Sequence, residues 1–481
     1  MSTLSIPPSG LLVGGEWPDP RTGATLDVVD PATHEVIRTV GAAGPDDVAA
    51  AVAAARAAAP GWAATSPSER GAILRRWADL VMAHLEELAA LEARDVGKPL
   101  SDGRTNIFIA HSIIEYSAGA ADRVTGVTLP VRQTDHMGLT LREPRGVCAV
   151  VIPWNVPAVL AAANVAPALA AGNAVVLKPS EHAPLVVLGL AALAQEAGLP
   201  AGVLNAVVGL GPEAGAALSG SPDIDHISFV GSTATGRAIL AAAARNLVPA
   251  KVELGGKSPN VVFADADLDA AIPVIARSFT DNAGQNCYAG SRLLVEEAIA
   301  DEVRERLVAE LASVRIGPWD ADPDMGPLVT AGQAARVRGY VEGAVAAGAR
   351  RLTPAGDDDG WYVTPALFDR VDDDMAIVRE EVFGPVAVMQ TFTGLDDAVA
   401  KVNGTPFGLM TAIWTDDVSR ALAAVGRVRS GQVSVNEFAN SAVIGFPFNM
   451  TKDSGFSHGG GYDALLEYTQ EKAVSIRLLD R

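Results

Sequence analysis

Cysteine and positive charge are both scarce in this sequence. Cys148 and Cys287 are its two cysteines among 481 residues, too few for a disulfide framework in a chain long enough to fold without one. The 37 Lys and Arg residues are outnumbered by 57 Asp and Glu residues, which gives a net charge of −20. So acidic a surface repels nucleic acid and anionic membranes, and we expect neither as a partner. The few cysteines favour a reducing compartment, so we predict a cytoplasmic protein.

The sequence also lacks an apolar run long enough to cross a membrane. The apolar stretch 158–171 is interrupted by Asn164 and Pro167 and is followed by Gly172. The N-terminus has no charged segment followed by an apolar one, so we do not interpret it as a signal peptide. We expect no membrane partner and no metal site.

Short apolar segments alternate with helical ones from residue 146 onward. Helical periodicity at 183–197 and 232–244 separates runs of strand length. Such alternation predicts a parallel sheet with helices on its faces, an α/β fold. The strand-like runs are VCAVVI (147–152), AVVLK (174–178), VLNAVVG (203–209), HISFV (226–230), KVELG (251–255) and NVVF (260–263).

The segments outside this region differ in pattern. Residues 46–59 and 68–97 have helical periodicity, with Ser68 as the predicted N-cap of the second helix and Gly97 at its end. The 124–143 stretch indicates two strands, and so does the alternation near the C-terminus at 473–479. Since two strands alone are barely stable in water, we expect these to pair with another subunit.

Three residues at strand ends or in loops are candidates for chemistry. Cys287 lies in NAGQNCYAGSR, a predicted loop before a strand, where an accessible thiolate could act as a nucleophile. Glu253 ends a strand and could accept a proton, and Asn155 lies between two prolines, which suits an oxyanion hole. Taken singly, each has a structural alternative: a buried cysteine, an ion-paired glutamate and a turn asparagine. Cys148 fits that alternative, inside an apolar strand.

Three segments have features of a phosphate or ribose site. HISFVGSTATGR (226–237) indicates a strand, a tight turn and a helix whose N-terminal N–H groups attract phosphate. GLGPEAG (209–215) misses the dinucleotide-binding fingerprint by one residue. LKPSE (177–181) follows a strand, and its lysine and glutamate could hold ribose hydroxyls or form a surface ion pair.

Together, these segments resemble the aldehyde dehydrogenase superfamily. The resemblance runs from about residue 11 to the C-terminus, and an ordered set of seven motifs over that span is highly specific. The motifs are PWN (153–155), KPSE (178–181), FVGSTATG (229–236), ELGGKSP (253–259), GQNC (284–287), EEVFGP (380–385) and PFNMTKDSG (447–455).

The resemblance implies a mechanism with three catalytic residues. Cys287 would attack the aldehyde carbonyl, and its backbone N–H and the Asn155 amide would stabilise the oxyanion. Hydride transfer would leave a thioester on Cys287, and Glu253 would activate the water that hydrolyses it. The implied function is oxidation of an aldehyde to the carboxylic acid with reduction of NAD.

The resemblance also implies the residues that bind NAD, with NADP as the less favoured alternative. Lys178 and Glu181 match positions at the adenosine ribose, and Glu381 and Phe383 match those at the nicotinamide ribose and ring. The other matching positions are Ile152, Pro153, Trp154, Ser180, Gly211, Gly215, Phe229, Gly231, Ser232, Leu254 and Gly255.

The implied architecture has three parts. A Rossmann-type NAD-binding domain comprises 1–122 and 144–254, and an α/β catalytic domain comprises 255–455. A small β oligomerisation element combines 123–143 with 456–481, so we expect a dimer or tetramer. Two rival functions are a CoA-acylating semialdehyde dehydrogenase, disfavoured because such members generally lack the base at Glu253, and a non-catalytic binding or structural protein.

The sequence departs from the family at two positions. Many members carry a lysine where this chain has Asn164, and Arg-Glu where it has His458-Gly459. In those members the lysine and glutamate are thought to carry a proton away from the general base. We therefore expect the proton from Glu253 to leave through water or another side chain, with His458 as one candidate.

The resemblance generates a prediction about cofactor choice. We expect kcat/KM with NAD to exceed that with NADP by at least about tenfold, because a Glu181 carboxylate that accepts from the ribose 2′-hydroxyl repels a 2′-phosphate. Initial rates with each cofactor below saturation measure the ratio. Equal efficiency with both cofactors would contradict the prediction.

Overall fold

The computed structural model describes residues 4, 6–7, 9–356, 359–439 and 443–479. We number the helices and strands within these ranges α1 to α15 and β1 to β23 in chain order. The helices are Pro45–Ala64, Pro67–Ala83, Leu85–Val96, Leu100–Ala120, Pro157–Ala170, Leu185–Glu196, Ala216–Ser219, Thr233–Arg245, Leu268–Thr280, Ala300–Ala312, Ala331–Ala346, Ala376–Arg379, Gly394–Asn403, Val418–Val425 and Gly461–Glu467. The strands are Leu11–Leu12, Thr25–Val29, Val36–Gly41, Thr128–Leu129, His136–Pro144, Val147–Val151, Ala174–Lys178, Leu204–Val207, His226–Val230, Ala250–Glu253, Pro259–Val262, Arg292–Glu296, Arg350–Arg351, Ala366–Asp369, Val386–Phe392, Phe407–Gly408, Met410–Trp414, Gln432–Val435, Phe448–Asn449, Thr451–Lys452, Gly455–Phe456, His458–Gly459 and Thr469–Arg477.

The first sheet has the strand order β1-β8-β7-β6-β9-β10-β21. Its five central strands are parallel, as predicted, and the edge strands β1 and β21 run antiparallel to them. Every residue of β6 to β9 is buried, because helices α2 to α6 cover one face and α1, α7 and α8 cover the other. Strands β7 and β8 extend the sheet on one side of β6, and β9 and β10 extend it on the other. Ligand sites of open α/β sheets gather at such a switch point.

The second sheet has the order β13-β14-β15-β12-β11-β17-β18 and is parallel except for β13. Helices α9 and α10 pack on one face, and α11, α13 and α14 pack on the other. Since β11 follows β10 after a short glycine-containing connection, the loop that contains Cys287 and precedes β12 is brought next to the end of β10.

The third sheet is small and antiparallel, in the order β23-β5-β4. Strand β5 pairs with β23 from Thr469↔Pro144 to Arg477↔His136. The segment 124–143 therefore finds a partner in the C-terminal segment of its own chain, and β23 forms an edge with mostly exposed residues. Within the described ranges, no helix is both long enough and apolar enough to cross a membrane.

Two predictions in the N-terminal region were wrong. The segment 68–97 forms two helices, because the chain departs from helical geometry at His84, which has φ −108° and ψ 24°. The N-cap of α2 is Ser66, whose hydroxyl accepts from the backbone N–H of Glu69 at 3.2 Å, and not Ser68. Pro67 explains the earlier start, since proline fits the first helical position. Gly97 ends α3 at φ 88°, as predicted.

A buried ion pair connects the α3–α4 region to the end of β6. The Lys98 Nζ lies 3.0 Å from Glu92 Oε1, and both side chains are almost fully buried. The same ammonium donates to the backbone carbonyl of Asn155 at 2.9 Å, and the second carboxylate oxygen of Glu92 accepts from Ala158 N at the start of α5. This ion pair therefore fixes the backbone that carries Asn155.

We predict that Lys98→Met lowers the free energy of unfolding by about 3–5 kcal/mol, since it leaves the Glu92 carboxylate buried without its counter-ion. Urea denaturation followed by circular dichroism measures the change. Arg104→Met is the matched control, because the pair of Arg104 with Glu86 is exposed to solvent. An equally small effect of both substitutions would contradict the prediction.

Candidate active site

A cavity of about 400 Å³ opens where the carboxyl ends of the first sheet meet the loop that contains Cys287. It is lined by residues from both large sheets and by the segment 443–448. The lining includes eleven of the predicted site residues: Pro153, Trp154, Asn155, Gly231, Ser232, Glu253, Leu254, Gly255, Cys287, Glu381 and Phe383.

Cys287 and Glu253 are in direct contact in this cavity. The thiol donates a hydrogen bond to Glu253 Oε1, with 3.3 Å between sulfur and oxygen. Glu253 is the last residue of β10, and Cys287 follows a tight turn at Asp281–Gly284 in which Asn282 and Ala283 have φ 51° and 53°. Left-handed backbone at non-glycine residues is strained and is common at functional sites.

A glycine allows this contact. A Cβ added to Gly256 would lie 2.2 Å from the carbonyl oxygen of Cys287, so any other residue at position 256 would push the loop away. The glycine connection between β10 and β11 thus sets how closely the thiol approaches the carboxylate.

Asn155 reaches the same loop from the end of β6. Its Nδ2 donates to the carbonyl of Gln285 at 2.9 Å, and its own backbone carbonyl accepts from Asn282 Nδ2 at 3.0 Å. An amide has two N–H donors, so this geometry leaves one for a ligand. The backbone N–H of Cys287 donates to no described residue. Both groups are thus available to stabilise a developing oxyanion.

Burial determines the protonation states of the pair. It raises the pKa of the Cys287 thiol well above its usual range, and the nearby Glu253 carboxylate adds to the effect. Burial also raises the pKa of Glu253, while the hydrogen bond from Cys287 and the charge of Lys251 lower it. The resting arrangement is therefore a protonated thiol that donates to a glutamate whose basicity exceeds that of an exposed carboxylate.

The predicted phosphate-binding segment lies at the end of β9. Ser232 is the N-cap of α8, and its hydroxyl accepts from Thr235 N at 3.2 Å. Gly231 lies against the ring of Phe229, where a Cβ would approach to 2.7 Å, and Leu254 packs against Gly236 with no room for a Cβ. These contacts bring the N-terminus of α8 close to the sheet.

The residues predicted to bind the adenosine ribose lie one strand further from the cavity and do not line it. Lys178 ends β7, and its buried ammonium donates to Pro179 O at 3.0 Å and to Glu181 Oε2 at 3.5 Å. The Ser180 hydroxyl accepts from His182 N at 3.3 Å. The Ile152 N–H donates to the Lys178 carbonyl at 3.1 Å. Burial lowers the pKa of Lys178.

The segment 209–215 accompanies these residues. Gly211–Gly215 forms a turn of π-helix that leads into α7. A Cβ at Gly215 would lie 3.6 Å from the methylene Cδ of Lys178, so the glycine borders that side chain.

Glu381 and Phe383 approach the cavity from the second sheet. The Glu381 carboxylate accepts from Gly256 N at 3.0 Å, and burial raises its pKa to about 7. Phe383 has φ 60° and packs edge-on against Trp154, with 5.5 Å between ring centroids. This contact joins the end of β6 to the segment between α12 and β15.

Sequence reasoning missed two residues that hold this segment in place. Gln333 Nε2 donates to the Phe383 carbonyl and Arg336 Nη2 to the Glu381 carbonyl, both at 2.7 Å. Both lie on α11 and line the cavity. No motif surrounds them, so the sequence carries no signal for this role.

The departures from the family pattern have clear positions. Asn164 and Gly459 line the cavity, whereas His458 is exposed and does not. Tyr288 and Phe446 also line it. Among the described residues, no group of three or more His, Cys, Asp and Glu side chains is arranged to hold a metal ion.

Comparisons with known proteins agree on one family. Residues 17–474 match the model of the aldehyde dehydrogenase family. The chain is 41% identical to a hydroxyisobutyraldehyde dehydrogenase of Mycolicibacterium austroafricanum, over 99% of this chain and 95% of the relative. It is 45% identical to the structure of a putative aldehyde dehydrogenase from Burkholderia cenocepacia, with a TM-score of 0.95 over 97% of this chain and 99% of that one.

A second similar structure is a point mutant of betaine aldehyde dehydrogenase from Staphylococcus aureus in complex with NAD+. It is 33% identical, with a TM-score of 0.96 over 98% of both chains. The chain belongs to the aldehyde dehydrogenase family, which confirms the fold class and the aldehyde-oxidising activity that its motifs predict.

Proposed function

We propose that this enzyme oxidises its aldehyde through a covalent intermediate on Cys287, with Glu253 as the general base and Asn155 in the oxyanion hole. The observation that supports the proposal most directly is the 3.3 Å contact between the thiol and the carboxylate. A thiol whose pKa is raised by burial needs a base within reach to become a nucleophile, and Glu253 provides one.

The first half of the reaction forms the thioester. Glu253 takes the proton from Sγ as the sulfur bonds to the carbonyl carbon, and the oxygen becomes an alkoxide held by the Asn155 amide and the Cys287 N–H. NAD, when bound, accepts the hydride that leaves this carbon. The alkoxide then returns as a carbonyl, and the acyl group remains on sulfur.

The second half hydrolyses the thioester. Glu253 must lose the proton it took from sulfur before it can accept one from water. The water oxygen then bonds to the acyl carbon, the C–S bond breaks, and the acid leaves. Because burial raises the pKa of Glu253, this half of the reaction requires a higher pH than it would with an ordinary glutamate as the base.

NAD is confirmed as the cofactor by its presence in solved relatives, including the betaine aldehyde dehydrogenase. The residues of this chain fit such a group, since the first N–H groups of α8 have no partners within the helix and a pyrophosphate would accept from them. We propose that Ser232 and Trp154 border the pyrophosphate. Lys178 and Glu181 would hold the adenosine ribose, and Glu381 the nicotinamide ribose.

For the substrate, we propose a short branched aliphatic aldehyde. The name of the 41% identical relative, hydroxyisobutyraldehyde dehydrogenase, supports this class. So does the apolar lining contributed by Ile113, Tyr116, Leu160 and Phe446, which favours carbon-rich substrates. The position of Glu253 against the thiol favours hydrolysis over acyl transfer to coenzyme A, and a merely structural protein would need neither group.

We also propose the domain division stated above, self-association and a cytoplasmic location. The first, second and third sheets follow the three proposed parts, except that β21 joins the first sheet and β5 extends one residue past 143. The third sheet carries apolar side chains that are more than two-fifths exposed, namely Leu129, Met137, Leu141 and Ile476, which favours a covered face in a dimer or tetramer. A free thiol nucleophile suits a reducing compartment.

We predict that Cys287→Ala abolishes NADH formation with every aldehyde in a panel that includes hydroxyisobutyraldehyde. Glu253→Gln should slow both the burst of NADH and the steady-state rate, the latter by about 10²–10⁴-fold, because the thiol and the thioester both lose their base. Stopped-flow absorbance measures both phases. Steady turnover by Cys287→Ala, or acyl-CoA as the main product of the wild type, would contradict the proposal.

The proposed assembly predicts a dimer or tetramer in sedimentation velocity. Ile476→Lys should shift the distribution toward smaller species, because it places a charge on the exposed face of the third sheet. Leu247→Lys is the control, since Leu247 is 89% exposed in a loop away from that sheet. A wild-type protein that sediments only as a monomer would exclude the proposed assembly.

A further inference from the structure

Lys251 is a buried lysine that the proposed reaction leaves without a role. It lies on β10 two residues before Glu253, so the alternation of the strand places both side chains on the same face. Both line the cavity, and Lys251 is the one lysine among the described residues that does so. Its exposed fraction is 3%.

The ammonium of Lys251 has no close partner. It forms no hydrogen bond and no ion pair within the described residues. It makes a cation–π contact with the ring of Tyr468, with 5.8 Å from Nζ to the ring centroid. Lysines are rarely buried to this extent without a paired charge, because desolvation of the ammonium is costly. A lysine whose ammonium is desolvated in this way and that faces the reaction cavity is therefore a candidate functional residue.

Two carboxylates interact electrostatically with Lys251, and we call the line from one to the other through Lys251 the polar path. Glu253 is at the reaction cavity. Glu467 is at the end of α15, and its side chain is 19% exposed and therefore reaches solvent. The two carboxylates are the charges that favour the protonated form of Lys251, whereas burial lowers the pKa of Lys251.

The remaining titratable groups that face this path are held by other contacts. His226 Nε2 lies 3.7 Å from Glu467 Oε1, and burial lowers the pKa of His226. Arg145 donates to the backbone carbonyl of Glu467 at 2.8 Å. The Tyr468 hydroxyl is directed at Asn164 Oδ1 at 3.3 Å, and its pKa is raised by burial.

Asn164 itself is not able to carry a proton in this arrangement. Its Nδ2 donates to Leu160 O at 2.9 Å, and its Oδ1 accepts from Ser228 Oγ at 2.8 Å. Ser228 pairs in register with Lys251 on the neighbouring strand, so Lys251 lies beside these hydrogen bonds of Asn164. Gly459 has no side chain, and a Cβ there would lie 2.7 Å from the Phe448 carbonyl oxygen.

We propose that Lys251 receives the proton of Glu253 during turnover and passes it to solvent beside Glu467. This proposal rests on the function proposed above, and Lys251 acts through Glu253 and not on the aldehyde. In the second half of the reaction, Glu253 takes one proton from water, and the resulting hydroxide oxygen bonds to the acyl carbon. The C–S bond breaks, and the proton of the newly formed acid returns to Sγ.

The Glu253 proton then moves to the neutral amine of Lys251, which becomes an ammonium and releases the proton at the solvent end of the path. Thioester and water thus give carboxylate, thiol and one free proton. Burial lowers the pKa of Lys251, which favours its neutral form.

Two variants of Lys251 test this path. Lys251→Met removes the titrating group, and Lys251→Arg keeps a positive charge that does not give up its proton near neutral pH. We expect both to retain a burst of one NADH per site and to lose about 10²-fold in the rate of acyl-enzyme decay. Quenched-flow mass spectrometry measures that decay directly. Since Arg retains the charge, each variant tests the path if the other does not fold.

The pH profile separates proton transfer from a purely structural role. The positive charge of Lys251 lowers the pKa of Glu253. Loss of this charge in Lys251→Met should therefore move the acidic side of the pH profile of the decay rate to higher pH, and Lys251→Arg should leave it in place. Added trimethylamine should restore decay in Lys251→Met, because a tertiary amine accepts protons but forms no stable amide with the thioester.

Ser228→Ala is the matched control, since it removes a polar group from the same face of the sheet at the register position of Lys251. It should leave the decay rate and its pH profile unchanged. Wild-type decay rates in Lys251→Met, or full activity in Lys251→Arg, would overturn the proton path. Absence of a burst in the wild type would instead overturn the proposed function.

Discussion

The active site depends on the close approach of two backbone segments from different sheets. The connection between β10 and β11 contains Gly255 and Gly256. At each of these glycines, an atom of another segment occupies the space that a Cβ would need. At Gly256 the neighbour is the carbonyl oxygen of Cys287, at 2.2 Å, and at Gly255 it is the carboxylate of Glu381, at 2.4 Å. Two adjacent glycines therefore let Glu253 at the end of the first sheet approach Cys287 and Glu381 in the loops of the second.

The sequence predicted the parts of the fold that local patterns determine. Strands buried on both faces appear as continuous apolar runs, which is why β6, β7 and β9 were located to within a residue or two. The convergence of Asn155, Glu253 and Cys287 was expected only from the resemblance of the motifs to the aldehyde dehydrogenase superfamily. The contact of Cys287 with Glu253 agrees with that expectation.

The contacts that the sequence did not predict join segments far apart in the chain. Nothing around Lys98 indicates that its ammonium reaches the carbonyl of Asn155, and nothing around Arg336 indicates that it holds Glu381. Such contacts depend on how the helices pack and not on local periodicity. The break at His84 was missed for the same reason, since the apolar spacing continues across it. Lys251 is different, because a charge within an apolar strand is visible in the sequence itself.

The outer edge of the first sheet has a consequence for how the enzyme is made. Strand β21 pairs with β10, with Gly455 opposite Glu253, and Ser454 Oγ donates to the carbonyl of Gly255 at 2.8 Å. These residues are synthesised well after Glu253 and Cys287. The nascent chain therefore contains both side chains before this edge of the sheet exists, and the Cys287 thiol acquires its final surroundings only after the edge strand has been made.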